Sequence, residues 1–465
     1  MKRLFFLPLL LLSSLAALSQ DITGKWSGVL NVQGTRLRIV FNIEKKSETY
    51  LSTLDSPDQN VEGIPCNETS FVGNTLKIGV NSIGARYEGT LEGDSIKGAF
   101  TQMGATFPLI LTKTEPEIMP LHRPQEPKPP FPYYTEEVTF TNKRDGVTLV
   151  GTLTLPDKKG KYPAVVLISG SGPQNRDEEI MGHKPFLVIA DHLTRNGIGV
   201  LRYDDRGTAH STGDFSKATT LDLSYDAEAA LDYLMGRNEV NRREIGLMGH
   251  SEGGIIAPMV ASRNKDVAFI ILLAGTGVRG DKLLLMQQKA LAIASGIPEE
   301  AISENEKLNA SLFHEIVNSK DTINLRANLT QTLQSALNEN DELKKNLTQE
   351  QLSDMVKETV NRLMSPWVYF FLKHNPYPVL KKVKCPTLVL NGTNDLQVPA
   401  KENLAAIRQA FAESGNKKLT VIELEGLNHL FQESETGLPN EYGEIEETFS
   451  PKALDAITLW LKKKR

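Results

Sequence analysis

The sequence has few of the features that mark several large classes of protein. Two of its 465 residues are cysteines, which excludes a fold held together by several disulfides. Positive charge is not in excess, since 52 Lys and Arg face 57 Asp and Glu, whereas a nucleic-acid surface selects for clustered positive charge. Apolar residues make up 40% and charged residues 23%, so collagen-like, disordered and multi-spanning membrane proteins are excluded. We therefore expect a globular protein of two or three domains with no nucleic-acid partner.

The beginning of the chain has the pattern of a signal peptide. Lys2 and Arg3 precede an apolar run at residues 4–12, and small residues follow at positions 17 and 19. The run is shorter than the roughly 20 apolar residues that a transmembrane helix needs. We therefore expect cleavage of residues 1–19, no membrane insertion afterwards, and a product in the periplasm or outside the cell.

Residues 20–114 are expected to form a small all-β domain. Apolar residues recur at every second position from Leu37 to Ile43, the period of a half-buried antiparallel strand, and glycine-containing turns interrupt such runs often. This pattern favours a β-barrel or β-sandwich. The segment Thr23-Gly24-Lys25-Trp26 resembles the Gly-x-Trp opening of lipocalin-like barrels. We expect Trp26 to fill the core rather than to line a ligand site.

A linker and a larger domain follow. Seven prolines between residues 115 and 132 predict a semi-rigid, extended linker, because each proline lacks a backbone donor. From residue 133 to residue 465, strand patterns alternate with helical patterns, which indicates an α/β domain with a mostly parallel sheet and helices on both faces. The predicted strands are Val147–Leu155, Ala164–Ser169, Gly199–Tyr203, Ile245–Met248, Ala268–Leu273, Thr387–Asn391 and Thr420–Leu424.

One stretch of the larger domain departs from this alternation. Residues 279–375 have helical patterns without a strand signal, and we interpret them as an inserted helical cap. Cys66 and Cys385 lie in different predicted domains, so we expect two free thiols.

The clearest chemical motif is Gly249-His250-Ser251-Glu252-Gly253. This Gly-x-Ser-x-Gly sequence follows a predicted strand and precedes a run that can start a helix. A serine nucleophile of this kind must sit on a strained turn from strand to helix, and glycines on either side allow the tight backbone. The motif therefore predicts a nucleophile elbow at Ser251, with His250 in a structural role.

A serine hydroxyl needs a base to take its proton and an acid to orient that base. In folds that carry such a nucleophile elbow, the triad residues occur along the chain in the order serine, acid, histidine. Asp395 follows the predicted strand 387–391, and His429 follows the predicted strand 420–424, so both lie where strands of a parallel sheet end. We predict a triad of Ser251, Asp395 and His429.

Acyl transfer also needs backbone donors for the developing oxyanion. One is expected to be the N–H of Glu252, the residue after the nucleophile. The second is expected in the loop Ser169-Gly170-Ser171-Gly172-Pro173, which follows an early strand. Within that loop the candidates are the N–H of Ser171 and, as the alternative, that of Gly170.

Together these motifs resemble α/β-hydrolases of the serine esterase and aminopeptidase type, especially bacterial esterases with a Gly-Ser-Gly-Pro oxyanion loop. The resemblance extends over residues 138–464. It rests on the segments Ser169–Asp177, Tyr203–Gly207, Gly249–Gly253, Pro386–Asp395 and Asn428-His429. Ser169 stands where these families usually carry a histidine, and Ala209 replaces a glycine, but neither is a reacting group. We expect Asp204 and Arg206 to form an internal ion pair that braces this region.

The resemblance implies a serine hydrolase, and we expect it to cleave carboxylic esters of small molecules without a metal or organic cofactor. The cap would cover Ser251, although most apolar clusters in it, at 285–286, 312–313 and 367–371, are expected to pack the cap rather than to line a pocket. A serine peptidase for short peptides is the alternative, because the same triad cleaves amides. A ligand-binding protein without catalysis is a third hypothesis. The sequence does not indicate an oligomeric state.

Overall fold

The computed structural model describes residues 21–32, 35–47, 49–59, 61–102, 105–114, 122–340, 344 and 348–464. The expected signal peptide at residues 1–19 and the first part of the expected linker, residues 115–121, lie outside this range. The chain divides into two compact units, residues 1–120 and residues 121–465. In the part of the chain that is described, no helix is long and apolar enough to cross a bilayer.

The described part of the first unit is an antiparallel sheet. Its strands are β1 (Gly24–Val32), β2 (Thr35–Lys46), β3 (Thr49–Ser56), β4 (Val61–Pro65), β5 (Glu68–Val72), β6 (Thr75–Val80), β7 (Ala85–Glu92), β8 (Ser95–Gln102) and β9 (Ala105–Thr112). Their order is β4-β3-β2-β1-β9-β8-β7-β6-β5. Ser52 on β3 and Thr69 on β5 nevertheless share a hydrogen bond of 2.7 Å between their hydroxyls, so the sheet curls until its two ends meet. The expected all-β fold is confirmed.

The interior of this curled sheet is filled by side chains. Trp26 is 2% exposed and donates its indole N–H to the Ile22 carbonyl at 2.7 Å. The Tyr87 hydroxyl bonds to the carbonyls of Ile96 and Leu109, and burial raises the pKa of this phenol. Buried aromatic groups of this kind are stable only when their polar ends find partners. Trp26 is therefore a core residue, as the sequence predicts.

The second unit contains a mixed sheet of eight strands in its described part. They are β10 (Tyr134–Asn142), β11 (Val147–Leu155), β12 (Tyr162–Ile168), β13 (Gly199–Tyr203), β14 (Val240–His250), β15 (Phe269–Leu273), β16 (Thr387–Gly392) and β17 (Leu419–Leu424). The order is β10-β11-β13-β12-β14-β15-β16-β17, and all pairs from β13 to β17 are parallel. β10 is absent from the predicted strands, and it extends the sheet as an antiparallel hairpin with β11.

Helices cover both faces of this sheet. They are α1 (Pro185–Arg195), α2 (Thr220–Met235), α3 (Gly253–Arg263), α4 (Gly280–Ala294), α5 (Glu299–Asn318), α6 (Thr322–Glu339), α7 (Gln349–Leu363), α8 (Pro366–Lys373), α9 (Tyr377–Leu380), α10 (Ala400–Ser414), α11 (Pro439–Tyr442) and α12 (Pro451–Lys463). Along β12, Val166 faces an apolar layer with α2 and α10, whereas Val165 faces a layer with α1 and α12. Because β12 is buried on both faces, its sequence is a continuous apolar run. The α/β-hydrolase fold is confirmed.

Helices α4 to α8 form an insertion between β15 and β16. The insertion has its own apolar core, in which Leu312 and Phe313 of α5 pack with Leu329 of α6 and Val360 of α7. Phe371 of α8 instead packs into one apolar layer of the main sheet. These apolar side chains therefore hold the insertion together and attach it to the domain.

Candidate active site

Ser251 lies on a tight turn between β14 and α3. Its φ is +52°, in the left-handed region that residues other than glycine rarely adopt. The turn requires glycine two residues before and two residues after Ser251, because a Cβ at Gly249 would collide with the backbone of Gly253, and one at Gly253 with the carbonyl of Ile168. The Ser251 N–H donates to the Leu273 carbonyl at 2.8 Å, and the residue is only partly buried. The serine is therefore held in a strained conformation on a turn that solvent can reach.

Asp395 and His429 meet beside the carboxyl ends of β16 and β17. Nδ1 of His429 lies 3.0 Å from each carboxylate oxygen of Asp395, and both residues are buried. The Asp395 carboxylate also accepts the N–H groups of Gln397 at 2.9 Å and Val398 at 2.8 Å. These donors hold the carboxylate in place, so that Nδ1 of His429 donates to it and Nε2 remains as the acceptor. An imidazole in this state can take a proton from a hydroxyl group.

His250 connects the histidine loop to the elbow. Its Nε2 bonds to the His429 carbonyl at 2.9 Å, and the two imidazole rings are 4.9 Å apart between centroids. Since His250 precedes Ser251 directly, this contact places the loop of His429 next to the serine turn. The structure thus places the turn of Ser251 next to the loop of His429, whose ring is paired with Asp395.

The loop after β12 passes alongside the serine. A Cβ at Gly170 would lie 3.3 Å from the Cβ of Ser251, which is closer than such atoms usually pack, so glycine at this position favours the approach. The Gly170 N–H donates to Oε1 of Glu178 at 2.6 Å and is therefore not available to a substrate oxygen. This corrects the prediction of Gly170 as the alternative donor. Among the described residues, the N–H groups of Ser171 and Glu252 have no protein acceptor.

Charged side chains near this loop form ion pairs, and these pairs differ from the predicted pair of Asp204 with Arg206. Asp204 binds Arg176, whose Nε and Nη2 donate at 3.0 and 2.8 Å. Arg206 instead binds Asp226 through Nε at 2.6 Å and Nη2 at 2.8 Å. The predicted ion pair of Asp204 with Arg206 is wrong, because it paired residues by their distance in sequence. Each side chain finds a bidentate partner on another segment, and bidentate charge-assisted hydrogen bonds of this kind are stronger than neutral ones.

A second buried aspartate holds the other side of the loop. Asp205 accepts the Ser169 hydroxyl at 2.9 Å and the Gln174 N–H at 2.9 Å. Burial raises the pKa of Asp205 well above its usual range, while these donors oppose the shift. Ser169, which stands at the position of the family's histidine, is thus an anchor of the loop.

The side chain of Glu252 links the elbow to the helical insertion. Its buried carboxyl accepts the Thr220 hydroxyl at 2.6 Å and the indole N–H of Trp367 at 2.8 Å. Trp367 lies on α8 and stacks on Phe371 with ring centroids 5.0 Å apart. Burial raises the pKa of Glu252 and these hydrogen bonds lower it in part. Sequence reasoning missed this contact, because nothing local marks a tryptophan 115 positions away as a partner.

Metal-binding groups do not stand out at this site. Within the described ranges, no cluster of three or more His, Cys, Asp or Glu side chains has an arrangement that could hold a metal ion.

A family model and a relative of similar length both indicate a hydrolase. A family model described as X-Pro dipeptidyl-peptidase (S15 family) matches residues 145–423, which is more than half of the chain and includes Ser251 and Asp395. The chain is similar to Esterase EstD of Thermotoga maritima, with 26% identity over 432 residues that cover 90% of this chain and 92% of the relative. Among solved structures, an esterase of Pyrococcus furiosus is 14% identical, with a TM-score of 0.44 over 75% of this chain and 99% of that chain. The α/β hydrolase GrgF from Penicillium sp. sh18 is 17% identical, with a TM-score of 0.40 over 64% of this chain and 91% of that chain.

Proposed function

The chain belongs to the X-Pro dipeptidyl-peptidase (S15) family of hydrolases, and from this premise we propose that it is a serine esterase that acts on small carboxylic esters. The observation that carries the proposal is the arrangement at one sheet edge: Ser251 on a strained turn, beside a histidine whose Nδ1 lies 3.0 Å from both oxygens of a buried aspartate. A base oriented in this way activates a serine hydroxyl.

The proposed reaction proceeds in two steps. Oγ of Ser251 attacks the acyl carbonyl while Nε2 of His429 takes its proton, and the N–H groups of Ser171 and Glu252 bind the oxyanion. His429 then gives the proton to the departing alcohol, which leaves an acyl group on the serine. Water attacks this acyl-enzyme with the same histidine as base, and the acid is released. Asp395 stabilises the imidazolium in both steps, and the reaction needs no metal or organic cofactor.

The choice of an ester over an amide is supported by the relative from Thermotoga maritima, which is named an esterase and aligns with both units of this chain. The family description favours the second candidate, a peptidase that acts on short peptides with proline in the second position. The two functions use the same triad and differ in the leaving group.

Steady-state rates on two kinds of chromogenic substrate separate these candidates. We expect kcat/KM on p-nitrophenyl acetate and butyrate to exceed that on Xaa-Pro p-nitroanilides by about 100-fold or more, roughly 2.7 kcal/mol of transition-state stabilisation. The Ser251→Ala protein supplies the background rate. Faster turnover of the anilides would show that the protein is a peptidase.

We also propose that the enzyme is exported after loss of residues 1–19. The basic and apolar pattern of this segment supports the proposal. When the full chain is produced in a bacterial host, N-terminal sequencing of the extracytoplasmic protein should begin at Gln20. Recovery of the protein from the cytoplasm with residues 1–19 intact would contradict export.

A further inference from the structure

A second carboxylate and histidine lie next to the proposed triad and take no part in the steps above. Glu178 is in the loop between β12 and α1, is 4% exposed and has a φ of +50°. His250 is the last residue of β14, and its Nδ1 lies 3.0 Å from Oε1 of Glu178. Neither side chain is exposed enough to act on a substrate directly. Any function of the pair must therefore come from the residues to which the two side chains bond.

The hydrogen bonds of this pair define its protons. Nε2 of His250 faces the His429 carbonyl at 2.9 Å, and a carbonyl only accepts, so Nε2 carries a proton. Nδ1 faces Oε1 of Glu178, which already accepts the Gly170 N–H at 2.6 Å. When Glu178 is ionised, its Oε1 accepts from both of these donors. Both ring nitrogens of His250 then donate, which is possible only for the imidazolium ion.

The charges around the ring are consistent with this state. Burial disfavours the charged ring, but the Glu178 carboxylate and its hydrogen bond outweigh burial, so that the pKa of His250 is raised above its ordinary value. The other titratable groups that face His250 are Asp395, whose negative charge acts in the same direction, and His429, whose ring is 4.9 Å away. Phe431, an apolar ring, covers another side of it.

Each end of the pair fixes a different part of the proposed site. Glu178 holds Gly170, the residue before the proposed oxyanion donor Ser171, and Gly170 in turn approaches Ser251. His250 holds the backbone of His429. A single charged pair thus connects the oxyanion loop and the loop of the base across the strand that carries the nucleophile.

We propose that Glu178 and His250 are positioning residues, present as a carboxylate and an imidazolium, that set the oxyanion loop and the His429 loop relative to Ser251. This inference rests on the proposed function. Charge-assisted hydrogen bonds are stronger than neutral ones, and a misplacement of about 1 Å in a catalytic group can reduce the rate by about 100-fold.

The variant Glu178→Gln tests the charge while it keeps an acceptor for Gly170. Without the carboxylate, His250 loses its second proton at lower pH, and the neutral ring can donate to the residue at 178 or to His429, but not to both. We expect kcat near that of the unmodified enzyme at pH 5, where the ring of His250 is charged in both proteins, and about 10-fold lower at pH 7.5, with KM within about twofold throughout. The matched control is Glu179→Gln, a change at the adjacent exposed residue, which should follow the unmodified enzyme at every pH.

A second measurement does not depend on the folding of a variant. In the unmodified enzyme labelled with ¹⁵N-histidine, both ring nitrogens of His250 should have the chemical shifts of protonated nitrogens at pH 7.5, with His250→Gln used to assign the signals. A neutral His250 ring would overturn the proposal. So would a Glu178→Gln profile parallel to that of Glu179→Gln, or a loss that is equal at every pH, since the last result is what a purely structural contact gives.

The failure of this inference can be told apart from failure of the proposed function. Suppose that the unmodified enzyme hydrolyses esters and its Ser251 reacts with a fluorophosphonate, but one of the results above contradicts the charged pair. The proposed triad is then supported, and the positioning role of Glu178 and His250 is wrong. If Ser251 does not react at all, the proposed function itself is wrong.

Discussion

Replacement of Ser251 by alanine is expected to lower kcat on p-nitrophenyl esters by about 10⁴- to 10⁶-fold, because the acyl-enzyme can no longer form. The backbone donors at Ser171 and Glu252 remain, so a small residual rate above that of water is expected. The circular dichroism spectrum should not change, since the alanine is smaller and Ser251 is only partly buried.

The same variant also serves to identify the nucleophile by covalent labelling. A fluorophosphonate should modify the unmodified protein once, at Ser251, as read by mass spectrometry of the peptide, and should leave the alanine variant unmodified. Ser262→Ala is the matched control, because Ser262 is on α3, the helix that follows the turn of Ser251, and its hydroxyl bonds to the Met259 carbonyl at 2.9 Å. It should label and turn over like the unmodified enzyme. Labelling at a different serine would show that the elbow does not carry the nucleophile.

Replacement of Asp395 by asparagine is expected to reduce kcat by about 10³- to 10⁴-fold with little change in KM. The amide can still accept the N–H groups of Gln397 and Val398, so the turn should persist. It no longer stabilises the imidazolium, and its NH₂ group can favour the tautomer of His429 in which Nε2 carries the proton. In that tautomer the histidine cannot take a proton from the serine.

The control for this variant is another aspartate with the same local role. Asp214 accepts the Ser216 N–H two residues on, at 3.0 Å, but it is exposed and pairs with Lys217 rather than with a histidine. Asp214→Asn should therefore leave kcat unchanged within about twofold, as surface substitutions generally do. If Asp395→Asn behaves like this control, Asp395 caps a turn and a different acid must orient His429.

Local patterns were sufficient for the elements that position the site. The spacing of glycines in Gly249–Gly253 depends only on the backbone of one turn, and the structure has that turn with Ser251 at a positive φ. The strands β13, β16 and β17 lie within one residue of their predicted ends because apolar runs and flanking turn residues mark them. β10 was missed because it is an edge strand on which Val138 and Phe140 are the only buried apolar residues, and the Thr and Glu residues around them give no apolar run.

The sequence by itself determined that Ser251, Asp395 and His429 follow strands of one parallel sheet, and such strands end at the same edge. It also predicted that a glycine-containing loop passes close to the serine, and in the structure Gly170 of that loop lies against Ser251. Each of these features depends on one short segment, so the hydrophobic periodicity and the residue types of that segment are sufficient to predict it.

Only the tertiary structure decided which partners the polar groups of these segments take. It placed Arg176 rather than Arg206 on Asp204, occupied the Gly170 N–H with Glu178, and set Trp367 of the insertion on Glu252. The physical reason is that a buried polar group bonds to whichever complementary group the fold brings within about 3 Å, and separation along the chain does not report that distance.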